Sequence, residues 1–522
     1  MPSAVPHRHR YHPRQLKGRA EANQLTPSWP GTLVLLGCLL AASLFDVDEA
    51  EGVTATLKLQ AIIVGLGLAL SAAFDFQKGL RNLVRVDVVS LTALYFLSYV
   101  EFLFPQPHFD AVSSGYDVMK ASQMVLLGMG SLAVARHLNL RKSEFLPATA
   151  RGQQRMSLTV KQWLALLWIF AILGYAHMLI AVKFDVTKMV EAMMAPRFSQ
   201  PWQRGRLGGW GSLLTELALF FYVIPPIYGI LFAKRKSMRP LAFAGATGVV
   251  LFTLFYGYSS GTRNIFAAFI AGGFGAYLLV QPKLKIEQLI VVGVLGGSLL
   301  YLATNQMLHF RQIGLSRYLE HGAKGTVYEE YKNGEEASFF VDANLLNMGL
   351  MMSTVPSRHE YTGWDLPYNA LIRPVPRAIW SGKPEGLKLS IEDAAGMAGL
   401  TLAVTFVGEA YLSGGAFGVV LAGLFFGSIF GLWNSAFRGR WSPFSQLVYV
   451  AGFYPAAISM RSLMSFTTAV LPIIGLIVIS TVLAKNKTVA KSVSRKSSRA
   501  GHQEPEVLSV DANSMTSEKS EV

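Results

Sequence analysis

The chain has 522 residues, of which 52% are hydrophobic and only 15% charged, and its mean hydropathy is +0.36. Soluble proteins carry about a quarter charged residues. The composition therefore excludes a soluble globular enzyme and a disordered scaffold. The single cysteine, Cys38, excludes an internal disulfide and a thiolate metal cluster.

Apolar runs of about 18–22 residues, the length that crosses a bilayer as a helix, recur along the chain. They predict an all-α polytopic membrane protein with about 12 transmembrane helices. The predicted spans are 30–45, 53–74, 86–104, 117–135, 162–182, 210–233, 240–258, 263–280, 287–304, 409–433, 444–460 and 466–484.

The distribution of Lys and Arg predicts the orientation of these spans. Cation-rich connections such as Lys234-Arg235-Lys236 alternate with acidic or neutral ones such as Asp46-Val47-Asp48-Glu49. The alternation places both termini in the cytoplasm. It also explains the net charge of +15 by topology, so we expect no nucleic-acid partner.

Five segments follow from this plan. They are a basic cytoplasmic N-terminus (1–29) that lies against anionic membrane lipids, nine membrane helices (30–304), a large external loop (305–408), three membrane helices (409–484) and a disordered cytoplasmic tail (485–522). A shorter basic external loop, 183–209, interrupts the first membrane block. An amphipathic run near Val341–Met352 predicts short helices inside the large loop.

Both external loops are rich in cations, against the usual insertion bias. The first contains Arg197, Arg204 and Arg206. The second contains Arg311, Arg317, Arg358, Arg373, Arg377, Lys383 and Lys388, with His309. Guanidinium groups bind phosphate through paired hydrogen bonds, which favours an anionic ligand for the set. The alternative is a folded cap whose arginines pair with acids such as Glu329 and Glu335.

Several ionisable residues lie at the ends of predicted spans, where burial is costly and function is the default hypothesis. Arg263 ends the turn Ser259–Arg263, where a helix start favours an anion. Glu409 and Arg461 begin or end other spans, and Glu216 lies inside one. The alternatives are snorkelling to the interface and an ion pair such as Glu409 with Arg461. The repeat Gly423, Gly427, Gly431 predicts close helix packing and no activity.

Three motifs carry a family resemblance. They are Gly261-Thr262-Arg263, Tyr368-Asn369-Ala370-Leu371-Ile372-Arg373-Pro374-Val375-Pro376-Arg377-Ala378-Ile379-Trp380-Ser381-Gly382-Lys383-Pro384, and Gly408-Glu409-Ala410-Tyr411-Leu412-Ser413-Gly414-Gly415. The chain resembles the bacterial oligosaccharide repeat-unit polymerases (Wzy-type O-antigen polymerases). These have many spans, two arginine-bearing periplasmic loops, a Pro-Arg-x-x-Trp-x-x-Lys-Pro segment and a later Gly-Glu-x-Tyr helix start.

The resemblance implies a GT-C-like glycosyltransferase of the bacterial inner membrane. It would polymerise undecaprenyl-diphosphate-linked repeat units at the periplasmic face, with a flippase and a chain-length regulator as partners. It implies no cofactor, and we expect no metal site.

The same chemistry assigns roles to residues. Cations would stabilise the charge that develops on the leaving diphosphate. The candidates are Arg263, Arg311, Arg377 and Lys383. Glu409 is the first choice of base for the acceptor hydroxyl and His309 the second. Substrate-binding candidates are Arg373, Tyr368, Trp364, Arg197, Arg204 and Arg461.

Three other functions remain open from the sequence. An O-antigen ligase shares the chemistry but uses a lipid A core acceptor. An enzyme with a polyprenyl-monophosphate donor would use acids of the first external loop, where Asp46, Asp48 and Glu49 occur, but that loop is short. A transporter is least favoured, because the sequence shows no internal repeat and its charges collect outside the membrane.

Overall fold

A computed structural model of the chain describes residues 25–45, 52–106, 109–112, 114–138, 158–202, 214, 216–281, 283–322, 339, 341–375, 379–384, 386–397, 402–437 and 442–482. Within these ranges the regular secondary structure is helical. The predictions for the C-terminal tail, and for the basic N-terminus up to residue 24, lie outside the described residues.

The principal helices are numbered here in chain order. They are α1 (Trp29–Ser43), α2 (Gly52–Phe76), α3 (Val86–Ser98), α4 (Gly115–Ala135), α5 (Val160–Ala181), α6 (Val186–Met193), α7 (Ile224–Ala233), α8 (Pro240–Ser259), α9 (Arg263–Val280), α10 (Ile286–Phe310), α11 (Leu315–His321), α12 (Asn344–Thr354), α13 (Asp365–Ile372), α14 (Thr405–Ala436), α15 (Pro443–Ala451), α16 (Phe453–Arg461) and α17 (Leu463–Val482).

Among the described residues, eight helices are long and apolar enough to cross a membrane: α2, α4, α5, α8, α9, α10, α14 and α17. The chain is therefore a polytopic α-helical membrane protein, as the composition predicts. The other four predicted spans coincide with shorter or broken helices. These are α1, α3, the 3₁₀ turn Leu217–Val223 followed by α7, and the pair α15 and α16.

The predicted limits of the large loop need correction. Helix α10 extends to Phe310, so His309 belongs to its last turn rather than to the loop. Helix α14 begins at Thr405, four residues earlier than predicted. Inside the loop the structure has short helices, and α12 coincides with the predicted amphipathic run.

Large apolar side chains cover the outside of the bundle. Leu241 is 85% exposed, Val294 65% and Ile172 65%. A soluble protein does not expose so much apolar surface, whereas hydrocarbon solvates it at no cost. These faces are the surface that contacts lipid.

A glycine stripe joins α14 to α4. A Cβ atom on Gly423 would lie 2.7 Å from Ser131 Cβ, and one on Gly431 would lie 2.5 Å from the carbonyl oxygen of Arg136. Gly427 meets the carbonyl of Leu132 in the same way. The predicted close packing is confirmed, because only glycine lets the two backbones approach this far.

The large loop is anchored at a break in α14. Gly414 and Gly415 leave helical geometry, and Gly415 has a φ of +60°. The loop supplies partners for the carbonyls released there: Thr362 N donates to Leu412 O at 2.9 Å and Gly363 N to Ser413 O at 3.0 Å. The break therefore fixes the loop on the helix bundle.

A buried ionic network joins α2, α3, α4 and α14 at the end of the bundle away from the large loop. Arg85 contacts Asp75 at 2.7 Å and Asp87 at 2.9 Å, and Arg136 contacts Asp87 at 3.5 Å. Asp87 also accepts a hydrogen bond from Asn434 at 2.6 Å. All four charged side chains are at most 2% exposed. Two acids balance two arginines, so the network stabilises the packing of α2, α3, α4 and α14 without excess charge.

Replacing Asp87 tests this network. In Asp87→Ala two buried guanidinium groups share only Asp75, and we expect a loss of about 3–5 kcal/mol, the usual cost of breaking a buried pair. The measurement is the thermal unfolding midpoint of the detergent-solubilised protein. The control Lys188→Ala removes an exposed pair with Asp185 and should leave the midpoint unchanged. Equal midpoints for both variants would contradict a stabilising role.

Candidate functional site

The centre of the site is Asp342, which lies just before α12. Its carboxylate oxygens contact Arg263 Nη2 at 2.5 Å and Arg461 Nε at 3.1 Å. Arg263 begins α9 and Arg461 ends α16, immediately before α17. Two residues predicted at the ends of spans are thus brought together by a carboxylate of the large loop.

Arg311 and Arg197 complete an arginine cluster, which we define as Arg197, Arg263, Arg311 and Arg461. The backbone N–H of Arg197 donates to the carbonyl of Arg311 at 3.2 Å, so the two basic loops touch. Each of the other three arginines acts electrostatically on Arg197. Four guanidinium groups therefore converge on one carboxylate at a common end of α9, α10 and α17.

The electrostatics of the cluster are unbalanced. Burial, followed by the like charges of Arg311 and Arg461, lowers the pKa of Arg197 to about 10. Its Nε atom is buried and makes no hydrogen bond to any described residue. Burial alone would raise the pKa of Asp342, but Arg263 and Arg461 hold it below its ordinary value. Among the described residues, four arginines therefore surround the Asp342 carboxylate, and cations predominate.

The loop that carries Asp342 is held in an uncommon backbone conformation. Asp342 has a φ of +103° and Ala343 a φ of +49°, both rare for residues other than glycine. Glu101 Oε2 accepts from Val341 N at 2.9 Å, and Asn347 Nδ2 donates to Asp342 O at 3.2 Å. These contacts aim the carboxylate at the arginines.

Gly261 closes the cluster on the side of the α8–α9 turn. It has a φ of +62°, and a Cβ atom there would lie 3.3 Å from Arg311 Cα. The glycine lets the turn lie directly against the end of α10. This explains its place in the Gly261-Thr262-Arg263 motif.

Glu409, the first choice of base, does not form the ion pair with Arg461 that was its alternative role. Its Oε1 accepts from the Ser462 hydroxyl at 2.6 Å, and its Oε2 accepts from the backbone N–H groups of Leu463 at 2.5 Å and Met464 at 3.3 Å. A carboxylate so occupied caps the start of α17. This geometry favours a positioning role over that of a base.

Lys383 also makes structural contacts. Its ammonium group donates to the carbonyls of Arg373 at 3.0 Å and Val375 at 2.9 Å, at the end of α13. It therefore fastens the proline-rich segment. Arg373 acts electrostatically on Glu409 and on Tyr454, as does Arg461 on Tyr454, so Arg373 lies near the cluster. Arg377 and Arg204 lie outside the described residues.

The remaining described candidates have other surroundings. Trp364 is 84% exposed and Tyr368 is 46% exposed, on the outward face of α13. His309 packs beside Tyr318, with ring centroids 6.0 Å apart. It precedes Arg311 by two residues, a spacing that places side chains on different faces of a helix.

Beside the cluster is an aromatic cavity of about 300 Å³. Its lining includes His177 of α5, Tyr222, Tyr256 of α8, Phe269 of α9, Trp202 and Thr468. Tyr222 stacks on Tyr454 with ring centroids 3.6 Å apart, and Tyr454 is within electrostatic range of Arg461. The cavity and the cluster are therefore neighbours.

Sequence reasoning missed Asp342, Glu101 and His177. No motif marks the two carboxylates, and only the uncommon backbone of residues 342 and 343 identifies the loop. His177 could have been found as an ionisable residue within a long apolar run. Within the described part of the chain, no three His, Cys, Asp or Glu side chains converge as a metal ion requires.

No protein-family model, curated protein or solved structure matches this chain.

Replacing Glu409 separates its two candidate roles. If it caps α17, Glu409→Gln lowers the unfolding midpoint by several degrees, because an amide cannot accept all three hydrogen bonds as strongly. Turnover then falls with the amount of folded protein, and the shape of the pH–rate profile stays the same. Ser462→Ala, which removes one of the three donors, should show the same pattern more weakly. Loss of the acidic limb of the profile, where protonation of a base lowers the rate, at an unchanged midpoint would instead identify Glu409 as the base.

Proposed function

We propose that this protein is a glycosyltransferase that polymerises lipid-diphosphate-linked oligosaccharide repeat units at the outer face of the bacterial inner membrane. O-antigen, capsule and exopolysaccharide synthesis all use this reaction. The single observation that carries the proposal is the arginine cluster. Among the described residues it holds more cations than carboxylates, in a partly dehydrated place at the ends of long apolar helices.

A lipid diphosphate matches this site in charge and in depth. Helices α9 and α17 begin at the cluster and α10 ends there, so the guanidinium groups lie where a lipid headgroup lies. A diphosphate carries at least two negative charges and offers several acceptor oxygens. Arginine can hydrogen-bond two such oxygens at once. A small ligand with one carboxylate would need fewer cations than the cluster holds.

The cluster is suited to the step that breaks the glycosidic bond. The acceptor hydroxyl oxygen attacks the anomeric carbon of the donor sugar, and the bond from that carbon to the diphosphate oxygen breaks. The electron pair leaves on the lipid diphosphate, and the hydroxyl proton passes to a base. Cations already in place stabilise the developing charge without reorganising.

Fewer residues remain candidates for the catalytic base than the sequence alone suggests. Asp342 is a poor base because the adjacent arginines keep its pKa low. Glu409 is occupied by three hydrogen bonds. We therefore assign Asp342 the role of fixing Arg263 and Arg461, and Glu409 that of fixing the start of α17.

We propose twelve membrane crossings with both termini cytoplasmic. The support is that all twelve predicted spans coincide with helices or helix pairs, and that the alternating loop charges agree with this plan. The short helices α3, α15 and α16 are compatible with it, because they pack into the bundle interior, where broken helices are tolerated. Helix α1 packs against α2 and α4 and keeps an exposed apolar face.

Removing single arginines of the cluster tests the proposed function. We expect Arg263→Ala and Arg461→Ala to lower the rate of chain extension about 10²–10³-fold, by analogy with the loss of one oxyanion donor. The assay uses protein in nanodiscs with lipid-diphosphate oligosaccharide, and resolves the product ladder. Arg317→Ala is the control, because Arg317 is an exposed arginine of the large loop and the variant should retain full activity.

The products also separate the competing functions. A polymerase forms a ladder, a ligase makes a single transfer to lipid A core, and a transporter forms no covalent product. Normal product length in both cluster variants would contradict the assignment of the cluster.

The topology has its own test. A reporter fused to the C-terminus should be active in the cytoplasm, and one inserted after Glu360 should be active in the periplasm. If the loop reporter is periplasmic, a periplasmic C-terminus would mean that an even number of crossings follows residue 360. The predicted span 444–460, which the structure breaks into α15 and α16, would then be the first to re-examine.

A further inference from the structure

The aromatic cavity beside the arginine cluster takes no part in the proposed cleavage of the glycosidic bond. Three of its lining residues lie within about one helical turn of a helix end. His177 is four residues from the end of α5, Tyr256 three from the end of α8, and Ile265 two from the start of α9. The cavity therefore lies at the depth of the membrane interface, next to the place proposed for the diphosphate.

The lining combines aromatic faces with polar atoms. Trp202 is 6% exposed and Phe269 is 1% exposed, so their rings form fixed walls. Tyr256 makes no hydrogen bond to a described residue through its hydroxyl. The Thr468 hydroxyl donates to Ser465 O at 3.1 Å and can still accept. Ring faces with a few convergent polar groups are typical of sites for small polar ligands.

His177 adds an oriented acceptor. Its Nδ1 lies 2.7 Å from the carbonyl oxygen of Gly174, which can only accept, so Nδ1 carries the proton. Nε2 of the neutral ring is then an acceptor. A ligand with hydroxyl donors can use it, but a hydrocarbon cannot.

We propose that this cavity binds a sugar ring, namely the one attached to the diphosphate held by the arginine cluster. The inference rests on the proposed function. A sugar ring presents C–H faces to aromatic rings and hydroxyl groups to His177, Tyr256 and Thr468. An isoprenoid chain would satisfy the walls but leave these polar groups unpaired.

Binding of short lipid analogues tests the proposal. The probes are farnesyl diphosphate, and farnesyl diphosphate carrying one glucose, galactose, N-acetylglucosamine or N-acetylgalactosamine. Dissociation constants are measured calorimetrically with the full chain in detergent. At least one glycosylated probe should bind tenfold or more tightly than farnesyl diphosphate.

Conservative variants then test which residues provide the affinity that the sugar adds. Tyr256→Phe and His177→Phe should each remove about three- to tenfold of the added affinity, the usual range for one neutral hydrogen bond. Both should leave the affinity for farnesyl diphosphate within twofold. Tyr228→Phe is the matched control, because this tyrosine hydrogen-bonds to Thr247 at 2.9 Å and does not line the cavity. The variant should bind every probe with unchanged affinity.

Three results would overturn the proposal. They are no gain from any of the four sugars, a gain that survives in both variants, and an equal loss of affinity for farnesyl diphosphate itself. The third would mean that the cavity holds the isoprenoid. Failure of the proposed function is distinguishable, because Arg263→Ala and Arg461→Ala would then leave the binding of farnesyl diphosphate unchanged.

Discussion

Mutual repulsion among four guanidinium groups is the constraint on which the site depends. Arg197, Arg263, Arg311 and Arg461 lie close enough to influence one another, and one carboxylate, Asp342, compensates two of them directly. Like charges held together in a partly dehydrated place destabilise a folded chain. An anion that binds there relieves this repulsion, so the same unfavourable energy becomes affinity for a polyanionic ligand.

The two ionic clusters of the protein show how the same residue types serve different purposes. At the end of the bundle away from the loops, two arginines meet two aspartates in a fully buried and neutral network. Among the described residues at the loop end, arginines outnumber carboxylates, and Arg197 Nε is buried without a hydrogen-bond partner. A cluster whose charges cancel indicates a structural role, whereas a cluster with more cations than acids indicates a bound anion.

The helices that join the two clusters also position the site. Helix α3 runs from Asp87 in the neutral network to the turn with Glu101, which holds the backbone before Asp342. Helix α14 runs from Asn434 in the network to Glu409, which caps the helix that follows Arg461. Damage to the buried network should therefore also disturb the arginine cluster, which lies at the other ends of α3 and α14.

The sequence by itself determined the membrane class, the places of the helices, the close α14–α4 packing and the arginine-rich character of two loops. These properties are local: an apolar run, a charge count and a four-residue repeat can each be read within one stretch of chain. It also selected Arg197, Arg263, Arg311 and Arg461 as candidates, but only as separate residues.

Only the tertiary structure decided which residues meet. Asp342 lies 79 residues from Arg263 and 119 from Arg461 along the chain, and no local pattern relates positions so far apart. The same holds for Glu409, whose partners lie about fifty residues away, and for Trp364, whose exposure depends on what α13 packs against. Contacts of this kind arise from the packing of distant helices, which fixes what a charge faces and hence what it can do.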